Sequence, residues 1–208
     1  TIMPYAALTL AGIARAVKPG RVVASAHGLR EGFIRHATGL AAGDPFLDYS
    51  RFAGAATARV PPDGDAIAAW LRPLFPEPDP ETRRWMEAAC WLSDLAGRDH
   101  PDRRADIAYA RGSNIPSIGI SHAGRVFLGT ALRARYVGAK KTVNRVIPSA
   151  EQLLTREQLR LAVQLGCALR LAHAISPSGR SLARAPISLT PDKLSLDGPA
   201  GLLSGDTV

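Results

Sequence analysis

The stretch Arg21-Val22-Val23-Ala24-Ser25-Ala26-His27-Gly28-Leu29-Arg30-Glu31-Gly32 joins a β-branched pair to a polar turn, and two glycines bracket Leu-Arg-Glu. Val22 and Val23 favour a buried strand, while Ser25 to Gly28 break it and redirect the chain. Glu31 precedes the apolar pair Phe33-Ile34 and opens a helix. A turn at the carboxyl end of a strand is where α/β folds place ligands. Upstream, Met3-Pro4-Tyr5-Ala6-Ala7-Leu8-Thr9-Leu10 reads as a helix that Thr1 caps and Lys18-Pro19-Gly20 stops. Residues 1 to about 40 are therefore expected as helix, strand and helix start. One strand cannot form a sheet covered on both faces, so this segment needs partner strands. The expectation is a carboxyl-terminal piece of a longer protein.

Beyond Tyr49 the pattern changes to helices separated by Pro-rich breaks. A short helix is expected from Arg51 to Arg59, ended by Pro61-Pro62-Asp63-Gly64. Asp65 is expected to cap a second from Ala66 to Leu74, which Phe75-Pro76-Glu77-Pro78-Asp79-Pro80 ends. Trp85, Ala88, Ala89, Leu92 and Leu95 give one face to a helix over Thr82 to Leu95. Residues about 102–111 and 122–137 supply two more. Thr155 with Gln158 matches a capping box, and Leu161, Leu165, Ala168, Ala172 and Ile175 form a helical stripe. The period then shortens: Ile187-Ser188-Leu189, a turn over Thr190 to Lys193, and Leu194-Ser195-Leu196 read as a hairpin. Leu202-Leu203 is a further candidate strand.

The 208 residues suffice for one substantial domain with a remnant of another. Aromatics make up only 6% of the chain, so its helices are expected to pack through small residues. No apolar run approaches the about 18 residues that span a bilayer, and there is no signal-peptide layout. Cys90 and Cys167 sit in apolar helical patterns and read as buried thiols of a cytoplasmic protein. The formal charge of +8 is unevenly placed. From Ile107 to Ala150 there is no Asp or Glu, while Arg111, Arg125, Arg133, Arg135, Lys140, Lys141 and Arg145 all fall there. Uncompensated charge repels itself unless a partner neutralises it, which points to a polyanion.

The order of helix, strand and Ser-Ala-x-Gly-Leu-Arg-Glu-Gly resembles the end of the phosphatase core of the exopolyphosphatase/guanosine pentaphosphatase (Ppx/GppA) family. That core belongs to the actin-like ATPase superfamily, and Asp44-Pro45-Phe46 follows at about the distance the family leaves before its helical extension. Ala88 to Gly97 resembles the His-Asp helix of the HD phosphohydrolase fold, in which adjacent His and Asp help to hold a divalent metal. Ser93 stands where the histidine would be, leaving Asp94 to read as a cap or packing carboxylate. Asp99-His100-Pro101-Asp102, Ser121-His122-x-x-Arg125-x-Phe127-Leu128, Arg135-Tyr136-x-Gly138 and Leu169-Arg170-Leu171-Ala172 resemble the carboxyl-terminal domain of the same family. His100, His122 and His173 could in principle form a replacement cluster, but histidines so placed usually serve structure.

The resemblance implies a mainly α protein. An HD-like helical domain (46–180) follows a remnant of the actin-like (ribonuclease H-like) α/β phosphatase lobe (1–45) and precedes a terminal β-hairpin (181–208). It implies removal of terminal phosphate from inorganic polyphosphate, or of the γ-phosphate from guanosine pentaphosphate, in a protein that is a homodimer. Mg²⁺ and the catalytic groups would belong to amino-terminal lobes. No catalytic or metal-binding residue is expected among these residues, and without the lobes the segment is expected to be inactive. Polyphosphate is expected to bind at Lys140, Lys141 and Arg145, placed in a loop after a helix ending at Gly138. Arg133 and Arg135 are expected to support them, with Arg30 of the Gly-Leu-Arg-Glu-Gly turn. Two rivals are a standalone HD-type nucleotide phosphohydrolase, disfavoured by Ser93, and a nucleic-acid-binding helical module. The module is disfavoured because few aromatics interleave the basic run.

Overall fold

A capping aspartate followed by proline sets two helix starts in this chain, at Asp44-Pro45 and Asp79-Pro80. The computed structural model describes residues 2–22, 28–38, 43–75, 77–143 and 148–198, and these fall into two units that divide after Thr38. In the first unit, α1 spans Met3–Val17 and α2 spans Leu29–Ala37. Lys18 ends α1 in the left-handed region at φ 48°. Glu31 reaches back to accept the Gly28 N–H at 2.8 Å, which satisfies one free donor of α2. Neither helix has a buried residue. The strand expected at Val22-Val23 is not seen at Val22, which is irregular, and residues 23–27 lie outside the described residues, as does the Thr1 cap.

The second unit is helical from Pro45 to Ile175. Asp44 accepts from the Phe46 and Leu47 N–H groups and starts α3 (Pro45–Thr57), earlier than the expected start at Arg51. The cap of α4 (Gly64–Leu71) is Asp63, not the expected Asp65, and a 3₁₀ turn over Arg72–Leu74 completes that segment. Asp79 caps α5 (Pro80–Trp91), so the run read as a stop ends by starting the next helix. That helix ends at Trp91 and not Leu95; residues 92–98 form successive turns. The apolar pattern persists past Trp91 because the turn is itself buried from Leu92 to Gly97.

A 3₁₀ turn at Pro101–Arg103 leads into α6 (Arg104–Ser113). Helix α7 (His122–Val143) breaks at Gly138, where φ 76° and ψ 178° are not helical. Lys140 and Lys141 thus stand on a short helical segment after the break, where a loop was expected. A short α8 (Pro148–Leu153) was not legible in the sequence. Thr155 and Gln158 exchange the two bonds of the capping box, each 3.1 Å, and start α9 (Arg156–Ile175). Strands β1 (Ile187–Leu189) and β2 (Leu194–Leu196) pair antiparallel, with Ile187 opposite Leu196 and Leu189 opposite Leu194, as the alternation predicts.

The core gathers Phe46, Ile67, Trp85, Phe127, Leu132 and Leu165 with many alanines. Helices α7 and α9 meet over small residues, as the composition predicts. A Cβ on Gly166 would lie 2.3 Å from the Ala131 carbonyl oxygen and 2.4 Å from the Ala134 Cβ. Such close backbone approach is what lets the turn at residues 92–98 be reached from α7 and α9 at once.

Candidate functional site

Among the described residues, the turn after α5 carries a densely bonded buried carboxylate. Asp94 is 3% exposed, and a carboxylate taken so far from water must be paired. Arg59, in the connection between α3 and α4, donates its main-chain N–H at 3.0 Å, Nε at 3.2 Å and Nη2 at 3.1 Å to it. Arg135 of α7 donates Nη2 at 3.0 Å and the Tyr136 hydroxyl lies at 3.4 Å. Burial by itself raises the Asp94 carboxyl, but the Arg59 hydrogen bonds and the charges of Arg135 and Arg59 hold it below the usual carboxylate range. Gly97 is required beneath it: a Cβ there would meet Asp94 Oδ2 at 2.2 Å.

Ser93, fully buried, donates to the Cys90 carbonyl at 2.7 Å and contacts His173 Nε2 of α9 at 2.8 Å. A hydroxyl has one hydrogen. With that hydrogen committed to Cys90, the bond to His173 requires Nε2 to carry a proton and donate to Ser93 Oγ. Ser93 is then a strut between α5 and α9, not an activated nucleophile. Burial, aided by the Arg135 charge, pushes His173 down to about 3, so the ring is neutral at physiological pH. Burial likewise pushes the Cys90 thiol well up, which leaves it inert.

The donor set does not suit a metal. Ser93 replaces a ligating histidine, two guanidiniums and a phenol occupy the Asp94 carboxylate, and His100, His122 and His173, read from sequence as structural, have separate surroundings. His100 Nδ1 accepts the Asp102 N–H, His122 is exposed, and His173 faces Ser93. Among the described residues no three His, Cys, Asp or Glu side chains come together as a metal site. No step through Mg²⁺ is therefore assigned to them. At this turn the charge of Asp94 is met by arginine.

The acid-free run is less free than its sequence suggests, because acids outside it reach back. Arg111 pairs with Asp99 at 2.6 Å, Arg133 with Asp106, and Arg135 with Asp94. Arg125 donates to the Ile115 and Ser117 carbonyls. Arg133 and Arg135 are each 8% exposed and each pairs with an acid from outside the run, the exposed Asp106 and the buried Asp94, so the premise of an uncompensated stretch fails for them. Arg30 is exposed and bonds Glu31 at 3.0 Å, in the first unit. Lys140 and Lys141 are exposed beyond the Gly138 break. Arg145 lies outside the described residues. Sequence reasoning missed Arg59 altogether; its only local signal is its position after a short helix, with its partner 35 residues away.

Residues 74–183 match the family model described as exopolyphosphatase, C-terminal. No curated protein matches the chain. No helix among the described residues is long and apolar enough to cross a membrane.

Proposed function

The chain belongs to the exopolyphosphatase C-terminal family, since the matched residues are more than half of it, and on that premise we propose that it serves an exopolyphosphatase-type phosphatase by holding the polyanion. Catalytic water, carboxylate and metal belong to other lobes of such an enzyme. In-line attack at phosphorus needs those groups to orient water and neutralise the developing charge. This region supplies positioning for the length of the chain not being cut. Residues 1–38 are read as an edge of the phosphatase lobe, a reading supported by the large apolar side chains that α1 and α2 leave at their surface. Inorganic polyphosphate or guanosine pentaphosphate is the substrate, and the parent enzyme is a homodimer.

The observation that carries the proposal is the placement of Lys140 and Lys141. They remain exposed after the buried arginines of the same run have paired with acids from outside it. Binding of long-chain polyphosphate to the 208-residue protein, measured across a salt series, tests it. Each neutralised phosphate releases counterions, so Lys140→Ala with Lys141→Ala should weaken binding and flatten its salt dependence. Arg156→Ala with Arg160→Ala removes equal charge from the exposed side of α9 and should do little. Equal losses from both pairs would mean that net charge alone holds the polymer. Single-stranded RNA competing as well as polyphosphate would favour a nucleic-acid module.

A further inference from the structure

Helices α4 and α5 turn a stripe of side chains each toward one cavity. Ala68, Leu71 and Arg72 stand three and four residues apart along α4 and the turn that completes it. Met86, Glu87 and Cys90 share the facing side of α5, and Leu165 of α9 lines the same space. The cavity holds about 260 Å³. Leu71, Cys90 and Leu165 are buried, and Met86 is half-buried, so much of its wall is apolar. Drug-sized sites run to about 300–1,000 Å³, so this one suits a small ligand with an apolar body.

Four charged side chains also line the cavity, and two of them meet each other, Arg83 pairing with Glu77 at 3.6 Å. Arg72 and Glu87 have no side-chain hydrogen bond or ion pair among the described residues. Arg72 is exposed at the carboxyl end of α4, where the helix dipole favours a cation. Glu87 has no such account. It stands half-buried in the middle of α5, and the two cations nearest to it in that helix are engaged elsewhere. Arg83 is on Glu77, and Arg84 is on Asp44 at 2.6 Å, attracting Glu87 through charge alone. A carboxylate partly withdrawn from water without a hydrogen-bond donor is costly, and a bound donor would offset that cost.

We propose that this cavity binds a small apolar zwitterion, of the size and charge of free leucine, methionine or phenylalanine. The apolar side chain lies between α4, α5 and α9, the carboxylate meets the Arg72 fork, and the ammonium donates to Glu87. One unpaired charge of each sign at an apolar wall selects a ligand that carries both. A singly charged ligand leaves one of them unpaired, and a phosphate chain sets like charge against Glu77 and Glu87. The site is separate from the lysines past Gly138 and does not rest on the polyanion reading. The competing account is a surface crevice in which Arg72 and Glu87 face only water.

The test is calorimetric titration of the 208-residue protein with L-leucine, L-methionine and L-phenylalanine, alongside isopentylamine and isocaproate. The first analogue keeps the ammonium without the carboxylate, and the second keeps the carboxylate without the ammonium. At least one amino acid should saturate a single site with a Kd at or below about 1 mM. Each analogue should bind at least about fivefold more weakly than leucine, the loss expected from one hydrogen bond between charged groups. Arg72→Gln should weaken leucine by a similar factor and leave isopentylamine unchanged, while Glu87→Gln should weaken leucine and leave isocaproate unchanged. Ala68→Leu, which fills the cavity and keeps every charge, should abolish binding. If that variant does not fold, the analogue series on the unaltered chain still decides. No saturable binding by any of the three amino acids overturns the proposal, as do analogues that bind as well as leucine or binding indifferent to both Arg72 and Glu87.

Discussion

Residues 1–38 and residues 39–208 use helices in opposite ways. In the first unit α1 and α2 are held by local devices, the left-handed Lys18 and the Glu31 bond to Gly28, and bury nothing. Tyr5, Leu8 and Phe33 are 73%, 70% and 67% exposed. In the second unit the helices give up side-chain volume so that backbones can approach, and the gain is a closed core with a polar centre at Asp94. Local capping is worth about 1 kcal/mol per site, which shapes a helix and does not build a domain. Burial does that, and among the described residues it is found in the second unit.

The largest way to break the comparison is at that polar centre. Asp94→Ala leaves Arg135 buried and unpaired, and should cost about 3–5 kcal/mol in denaturant unfolding. A loss under about 1 kcal/mol would mean that the turn is held by packing alone. Acid should do the same work as the mutation. The folded-state carboxyl sits below its unfolded value, so its contribution is present above about pH 4 and is lost as pH falls through the lowered value.

The α7–α9 seam comes next. Gly166→Ala drives a methyl against the Ala131 carbonyl and should destabilise by about 1–3 kcal/mol. A neutral outcome would show that the helices are free to part. His173 gives a smaller effect near neutral pH, one that grows as acid is added. Its folded value is depressed to about 3, so below about 6.5 the unfolded chain binds a proton that the folded chain refuses. Stability should fall by about 1.4 kcal/mol for each pH unit from that point down to about 3, and His173→Gln should flatten the slope. An unchanged slope would place the titration elsewhere. Least of all, Leu8→Ser and Phe33→Ser should each shift the unfolding of the second unit by less than about 0.5 kcal/mol. A larger shift would show that the first unit contributes to its core.

Much of this organisation was legible where the signal was local. The Thr155–Gln158 box, the stop at Gly138 and the pairing of Ile187 to Leu189 with Leu194 to Leu196 need only neighbours to specify them. Prolines were harder, because one residue both forbids a preceding helix and favours the first position of the next. Asp44-Pro45 and Asp79-Pro80 are starts, and the run containing Asp79 reads from sequence as a stop. The end of α5 was hidden for another reason. A buried turn is as apolar as the helix before it, so periodicity carries past Trp91 without a break. The candidate site was least legible. Composition showed seven cations without an acid, but Asp94, Asp99 and Asp106 lie before that run and meet Arg135, Arg111 and Arg133 only in three dimensions.

The central claim is that the buried cations of the acid-free run answer to acids elsewhere in the fold, leaving the exposed ones for a ligand. A double-mutant cycle on Asp94→Ala and Arg135→Met, followed by denaturant unfolding, tests it directly. Removing both partners should cost less than the two single losses combined, with a coupling of about 2 kcal/mol or more. Losses that add to within about 0.5 kcal/mol would contradict it, and Arg135 would return to the pool of free charge.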